Sequence, residues 1–210
     1  MQWFSKRILV GCASLLAVAA LAWPAAAGAA GAQKPIFISV GPDARPPIGW
    51  LQFCDDHPAD CRGANGGVRD VVLTSAAWHD LVRVNQWVNS NVKPITDLDH
   101  WGVAERWDYP DDGYGDCEDY VLLKRKMLLK AGWPRSALLV TVVRDQHGAG
   151  HAVLTVETDK GEFVLDNQNE KIVLWSESGY RFVKRQSQAN QNVWVTLDET
   201  PASIPTASAH

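Results

Sequence analysis

The sequence has few cysteines, no surplus of basic residues and no apolar run of membrane-spanning length. Its 210 residues include four cysteines, and 20 lysines and arginines stand against 24 acidic residues, for a formal net charge of −4. A mildly acidic chain has no general attraction for nucleic acid or anionic membrane surfaces, so we expect no nucleic-acid partner. The apolar run from Ile8 to Ala22 has about 15 residues, against the ~20 that a membrane-spanning helix needs.

Residues 1–32 instead have the pattern of a secretory signal peptide. A short basic region ends at Arg7, Pro24 breaks the apolar run, and small residues follow as far as Ala32. The pattern predicts export, with a periplasmic location and cleavage of residues 1–32; a retained anchor is the alternative. Cys12 lies in a lipoprotein-like sequence, but too few apolar residues separate it from Arg7 to predict lipidation.

The rest of the chain is predicted to form one domain over residues 33–198. Hydrophobic residues make up 46% of the sequence and ten residues are tryptophan, which is enough apolar material for one ordinary core. Residues 199–210 are rich in Pro, Ala, Ser and Thr and are predicted to be a disordered tail.

The cysteines that remain after signal removal are odd in number, so one thiol stays unpaired in an oxidising compartment. Cys54 and Cys61 lie on either side of a polar turn sequence that can bring their sulfurs together. A disulfide between them is therefore predicted, and it leaves Cys117 free. A metal site built from Cys54, His57 and Cys61 is the competing interpretation, but it lacks an evident fourth ligand.

The first half of the domain has helical features after an irregular start. Residues 33–69 are rich in Pro and Gly and are predicted to be irregular and pinned by the disulfide. Apolar residues recur at helical spacing between Thr74, which can cap a helix, and Pro94. Residues 95–115 are aromatic and acidic and are predicted to be an ordered loop, and a second helix is predicted over 116–132.

The second half consists of short runs rich in Val, Leu and aromatic residues, separated by turn-like sequences. These runs predict an antiparallel meander of strands at Ala137–Arg144, His151–Thr158, Glu162–Asp166, Ile172–Trp175, Tyr180–Lys184 and Val193–Leu197. Helices followed by strands place the chain in the α+β class, with N-terminal helices packed on an antiparallel sheet.

The hexapeptide Gly115-Asp116-Cys117-Glu118-Asp119-Tyr120 carries the clearest functional signal. It places Cys117 in the first turn of the second helix, where unpaired backbone N–H groups and the positive end of the helix dipole favour a nucleophilic thiolate. The same N–H groups can hold the oxyanion of a tetrahedral intermediate. A buried, inert cysteine beside a helix cap is the alternative on this hexapeptide alone.

His151 and Asp166 favour the catalytic interpretation. His151 opens one predicted strand and Asp166 closes the next, so a hairpin through Asp159-Lys160-Gly161 brings them to the same open end. Asp166 can then orient one imidazole nitrogen while the other nitrogen meets Cys117. Taken singly, His151 would more often be a packing residue, and Asp166 would cap the turn that follows it.

With these three residues in this order, the sequence resembles the bacterial transglutaminase-like cysteine proteinase family. The resemblance covers roughly Gly49 to Leu197 and is carried by the hexapeptide, by Gly150-His151-Ala152 and by Leu165-Asp166-Asn167. It implies a papain-like, transglutaminase-type core in which Cys117 is the nucleophile, His151 the base and Asp166 the orienting acid.

The resemblance also implies a calcium site beside the nucleophile. Members of the family bind calcium through acids that match Asp116 and Glu118, with Asp119 a weaker candidate. Ca²⁺ takes about six to eight oxygen ligands, which clustered carboxylates and loop carbonyls can supply. In the simpler interpretation Asp116 is a helix cap and the other acids serve the helix dipole. A cation would relieve an electrostatic conflict, because carboxylates beside a thiol raise its pKa.

These features together predict an exported cysteine endopeptidase. By the resemblance, its substrate is a large cell-surface adhesin cut near its N-terminus at a small-residue site, which releases biofilm, and an inner-membrane cyclic-di-GMP receptor sequesters the enzyme. The alternatives are acyl transfer to an amine through the same triad and a non-catalytic calcium-dependent binding module. Trp101 and Trp107, just upstream of the nucleophile, are predicted to contact substrate or partner, or else to pack in the core.

Overall fold

The largest element of the fold is a seven-stranded sheet, seen in a computed structural model of the chain. The structure describes residues 37–62 and 67–201, so the predicted signal peptide and residues 202–210 of the predicted tail lie outside the described residues. The helices are α1 (Ile48–Asp56), α2 (Pro58–Cys61), α3 (Ser75–Asn91), α4 (Asp97–Trp101) and α5 (Cys117–Lys130). The strands are β1 (Ile38–Ala44), β2 (Lys93–Pro94), β3 (Tyr114–Gly115), β4 (Leu138–Arg144), β5 (Gly150–Thr158), β6 (Gly161–Leu165), β7 (Val173–Leu174), β8 (Arg181–Gln186) and β9 (Trp194–Pro201).

The large sheet is antiparallel throughout, in the order β1-β9-β8-β4-β5-β6-β7. From β4 to β7 the order follows the chain, as a meander requires. The predicted meander is wrong beyond β7, because β8 returns to pair with the other side of β4. The two-residue β7 offers little edge for pairing, whereas β4 has seven residues. Trp175 in the connection packs edge-on against Phe182 of β8, with ring centroids 5.7 Å apart.

The segment before α3 is more regular than predicted. Its first described residues form β1, which pairs with β9 across two register shifts, one between Ile38 and Ser39 and one at Gly41 and Pro42. α1 follows Pro47 and buries Trp50 and Phe53, which lie one turn apart on one face. The density of Pro and Gly hides both elements, because these residues occupy the bulge and the helix start rather than a continuous loop.

Pairing with β1 also lengthens the last strand. β9 continues to Pro201 and therefore includes the first three residues of the predicted tail. Since β1 was not predicted, nothing in the sequence pattern indicated a partner for these residues.

The helices that position the site lie where the sequence predicts them. The side chain of Thr74 caps α3 by accepting a hydrogen bond from the backbone N–H of Ala77 at 3.1 Å. α5 packs against α3 and across β5, and the core between these elements buries apolar side chains from all three, among them Leu81, Val88, Leu128 and Leu154. Between the two helices, β2 and β3 form a short parallel ribbon that leads the chain to Cys117.

Cys54 of α1 and Cys61 of α2 form a disulfide, as predicted, with Cα atoms 5.5 Å apart. The bond joins two short helices that neither propensity nor length would stabilise alone. Within the described ranges, none of the helices combines the length and the apolar character needed to cross a bilayer.

Candidate active site

Cys117 is the first residue of α5 and, among the described residues, the free cysteine. The start of the helix is shaped by Asp119, whose carboxylate accepts a hydrogen bond from the backbone N–H of Asp116 at 3.3 Å. Gly115 makes room for this contact, because a Cβ at that position would lie 2.6 Å from Asp119 Oδ2. A glycine is therefore required immediately before the N-cap of this helix.

The thiol of Cys117 donates a hydrogen bond to Glu118 Oε2 at 3.0 Å. Burial raises the pKa of the Cys117 thiol well above its ordinary value, and the negative charge of Glu118 raises it further. Both effects act against the thiolate that the helix N-terminus is expected to favour.

His151 and Asp166 meet at the open end of the β5–β6 hairpin, as predicted. Strand pairing runs from Thr158 opposite Gly161 to Leu154 opposite Leu165, which brings the start of β5 beside the end of β6. His151 Nε2 lies 2.8 Å from Asp166 Oδ1, and both side chains are 2% exposed. A buried imidazole is thus held by a buried carboxylate.

Asp166 has further partners that the sequence did not indicate. Its Oδ1 also accepts a hydrogen bond from the backbone N–H of Gln168 at 3.1 Å, and its Oδ2 accepts one from the hydroxyl of Tyr180. Burial tends to raise the pKa of Asp166, but the hydrogen bonds from His151 and Tyr180 outweigh burial and hold this pKa below its usual range. Asp166 therefore contacts the imidazole and also caps the following turn, and its role as the orienting acid of a triad stays a prediction.

Two cavities meet at Cys117 and His151. One, of about 430 Å³, has a lining that includes the segment 94–96, Asn167 and Gln168. The other, of about 270 Å³, has a lining that includes Pro47, Glu105, Trp107, Val142 and Lys184. Cys117, Gly150 and His151 line both cavities. The thiol and the imidazole are therefore shared by two cavities whose other lining residues differ.

His151 Nδ1 is the ring nitrogen that does not face Asp166. Its described neighbour is Gln168 Nε2, at 3.4 Å. Because Asp166 holds Nε2, the Nδ1 atom is the position from which this imidazole can exchange a proton with a group in the cavities.

The acids beside the nucleophile belong to two overlapping groups of carboxylates. Asp97, Asp116 and Asp119 form one group, and Asp97, Glu105 and Glu118 form the other, with the ligand atoms in each within 4.8 Å of one another. The predicted acids Asp116, Glu118 and Asp119 are all present, but they are divided between the groups. Asp97 joins both, and the sequence pattern did not single it out.

Asp97 and Glu105 were missed because they are distant from the hexapeptide in sequence. Asp97 lies in the first turn of α4, which Thr96 caps, and its side chain is buried. The sequence indicates only that the segment 95–115 is acidic. It does not show which of the acidic side chains are buried beside Cys117.

Four carboxylates of these groups have raised pKa values. Burial raises the pKa of Asp97 and raises that of Asp119 to about 8, where Asp116 and Asp97 add negative charge. Burial also raises the pKa values of Asp116 and Glu118. Asp116 Oδ1 is buried and has no hydrogen-bond partner among the described residues. Several buried carboxylate oxygens in one place are the donor set that a hard divalent cation takes.

The two tryptophans upstream of the nucleophile have different surroundings. Trp107 is 3% exposed and packs edge-on against Trp50 and Trp194, so it is a core residue that also lines the smaller cavity. Trp101 is 41% exposed, and the guanidinium of Arg106 lies 4.3 Å from its ring centroid. The core-packing alternative therefore applies to Trp107 and not to Trp101.

The chain is similar to known proteins in sequence and in fold. A sequence model of the bacterial transglutaminase-like cysteine proteinase family matches residues 40–202. No curated protein matches the sequence. Among solved structures, calcium-bound LapG of Legionella pneumophila shares the fold: it is 23% identical, with a TM-score of 0.50, over 61% of this chain and 73% of the LapG chain. A second LapG structure from the same organism is 25% identical, with a TM-score of 0.47, over 56% and 68% of the two chains.

Proposed function

The chain belongs to the bacterial transglutaminase-like cysteine proteinase family and is a cysteine peptidase with a transglutaminase-like α+β fold, and on this premise we propose that Cys117, His151 and Asp166 are its catalytic triad. The observation that carries the proposal is the position of the free thiol of Cys117. It lines the same cavities as an imidazole whose other nitrogen is held 2.8 Å from a buried carboxylate.

In this proposal Nδ1 of His151 is the atom that accepts and later returns a proton. It takes the proton of the Cys117 thiol, and the sulfur attacks the carbonyl carbon of a peptide bond. The backbone N–H groups at the start of α5 stabilise the oxyanion. The imidazolium then returns the proton to the leaving amine, and water hydrolyses the resulting thioester. Asp166 accepts a hydrogen bond from Nε2–H throughout, which fixes the tautomer and stabilises the imidazolium.

Calcium binding by the acids around Asp97 is part of the proposal. The LapG structures are described as calcium-bound and as EGTA-treated, and in this chain Asp97, Glu105, Asp116, Glu118 and Asp119 are the residues that would hold the ion. Bound there, a divalent cation would supply positive charge to a cluster of desolvated carboxylates. The cation would affect the Cys117 thiol by reducing the negative charge of Glu118, which accepts the hydrogen bond of that thiol.

The proposed substrate is a large exported adhesin, cut near its N-terminus at a site of small residues. Two cavities that share Cys117 support a polypeptide substrate, which needs space on each side of the bond that is cleaved. A periplasmic location is proposed with it, and the Cys54–Cys61 disulfide is consistent with an oxidising compartment. An inner-membrane cyclic-di-GMP receptor is the proposed regulator.

The test is to incubate residues 33–210 with N-terminal fragments of exported adhesins, in calcium and in EGTA. We expect one cleavage in calcium, little in EGTA, and none with the Cys117→Ala variant. Product masses that include one added water would identify hydrolysis, and masses that include an added amine would identify acyl transfer. Cleavage by Cys117→Ala at the wild-type rate would overturn the assignment of the nucleophile.

A further inference from the structure

Lys124 is a fully buried lysine in the middle of α5. Its side chain has no exposed surface, and Nζ has no hydrogen-bond partner among the residues that the structure describes. Lysine is rarely buried without a partner, because its ammonium group loses favourable hydration. An apolar side chain of similar length would fill the same space without this penalty. Packing therefore does not explain why a lysine occupies this position.

The charge that interacts with Lys124 is the carboxylate of Asp166. Burial lowers the pKa of Lys124 to about 7, and attraction to Asp166 opposes that effect. The ring of Tyr120, one turn earlier on α5, has its centroid 5.9 Å from Nζ. The ammonium of Lys124 and the carboxylate of Asp166, the acid that contacts His151, therefore attract each other.

Two asparagines on α3 hold the turn that begins with Asp166. Asn89 Nδ2 donates to the backbone carbonyl of Asp166 at 2.9 Å, and Asn85 Nδ2 donates to the carbonyl of Glu170 at 3.1 Å. Residues four apart lie on the same face of a helix, so one face of α3 holds both ends of the turn 166–170. The Oδ1 atoms of both asparagines are buried and have no partner within the described ranges.

The side chain of Asp166 is held from another direction by Tyr180. The hydroxyl of Tyr180 donates to Oδ2, while Oδ1 accepts from His151 and from the backbone of Gln168. Rotation of the carboxylate away from His151 would break the contact with Tyr180 as well. Asp166 is therefore restrained at its carbonyl and at both carboxylate oxygens.

We propose that Lys124, Asn89 and Tyr180 are positioning residues that hold Asp166 in the orientation in which Oδ1 accepts a hydrogen bond from Nε2–H of His151. The proposal rests on the proposed triad and assigns these residues no contact with substrate. Asn89 holds the backbone carbonyl, Tyr180 holds the second carboxylate oxygen, and the buried ammonium of Lys124 attracts the carboxylate. A triad needs such support because small displacements of an orienting group reduce turnover strongly.

The main test is Lys124→Met, with Lys130→Met as the matched control on the same helix. Lys130 is exposed, so its substitution removes the same charge without altering the interior. For Lys124→Met we expect kcat on the adhesin fragment to fall on the order of tenfold with KM within about twofold. We expect the thermal unfolding midpoint to stay equal or to rise, because an unpaired buried charge has been removed. For Lys130→Met we expect wild-type kcat and KM.

A double-mutant cycle shows whether Lys124 acts through Asp166. In an Asp166→Ala background, Lys124→Met should change kcat by less than about twofold, because the group that it positions is gone. Equal loss in both backgrounds would overturn the proposal, and so would a stable Lys124→Met variant with wild-type kcat. If Asp166→Ala itself retains wild-type kcat, the proposed triad fails instead, so the two failures are distinguishable.

A second pair of variants covers the case in which Lys124→Met does not fold. Tyr180→Phe removes the hydroxyl that meets Asp166, and Tyr120→Phe removes a hydroxyl that donates to the carbonyl of Val92 at 2.6 Å. We expect Tyr180→Phe, and not Tyr120→Phe, to lower kcat and to shift the proton NMR signal of His151 Nε2–H. Equal effects of the two variants on that signal would contradict a positioning role.

Discussion

Cys117 Sγ lies 3.0 Å from Glu118 Oε2, so the thiol of the proposed nucleophile donates a hydrogen bond to the next residue in the chain. Burial raises the pKa of the Cys117 thiol, and the negative charge of Glu118 raises it further. The same carboxylate belongs to the group that contains Asp97 and Glu105. A cation bound by that group would therefore act on the thiol through Glu118.

The first prediction concerns the reactivity of Cys117. We expect iodoacetamide to alkylate this thiol on the order of tenfold faster in calcium than in EGTA, because positive charge beside Glu118 favours the thiolate. The measurement is the rate of mass increase of the intact protein at neutral pH. The disulfide leaves Cys117 as the reactive thiol of the described residues, so the signal reports one site. Equal rates in calcium and EGTA would contradict this coupling.

The second prediction concerns Asp97, which the sequence pattern did not identify. Asp97→Asn should weaken calcium binding by about tenfold or more, because Asp97 belongs to both carboxylate groups and its side chain is buried. Isothermal titration calorimetry with calcium alone measures this effect. Asp111→Asn is the matched control, since Asp111 is an exposed acid of the same loop that belongs to neither group. Similar losses in both variants would indicate a general electrostatic effect and not a ligand.

Local patterns in the sequence were sufficient for the elements that carry the proposed triad. The helical spacing after Thr74, the acids around Cys117, and the turn between β5 and β6 each depend on residues close in sequence. The hairpin turn and the two-residue period of the strands then bring His151 and Asp166 together.

Features that depend on distant contacts were not predictable in the same way. β8 pairs with β4, whose second edge β5 leaves free. The residue pattern within a single strand does not show which strand it will pair with. Asp97 approaches Asp116 through the capped turn of α4, and Tyr180 reaches Asp166 from the connection before β8. The raised pKa of Cys117 likewise depends on the folded structure, because burial of the thiol is its largest cause and the charge of Glu118 adds to it.

The third prediction concerns the Cys54–Cys61 disulfide. Replacing both cysteines with serine should lower the free energy of unfolding by about 2–3 kcal/mol, because the bond closes a short loop and restricts the unfolded chain. Urea denaturation of the purified protein measures this change. Cleavage of the adhesin fragment should persist below the new unfolding midpoint, since neither sulfur lines the cavities at Cys117. Loss of cleavage in a folded variant would contradict a purely structural role for the bond.

The fourth prediction follows from the lowered pKa of Asp166. Burial opposes ionisation of this carboxyl, but hydrogen bonds from His151 and Tyr180 outweigh burial, so its folded-state pKa lies below the unfolded value of about 3.9. A carboxyl of this kind stabilises the fold at pH values above the unfolded pKa, and the contribution is lost as pH falls through the folded pKa. Asp166→Asn cannot titrate and lacks this dependence. Urea midpoints measured from about pH 6 down to about pH 3 should therefore fall more steeply for the wild-type protein than for Asp166→Asn, and parallel curves would show that Asp166 does not hold the depressed pKa.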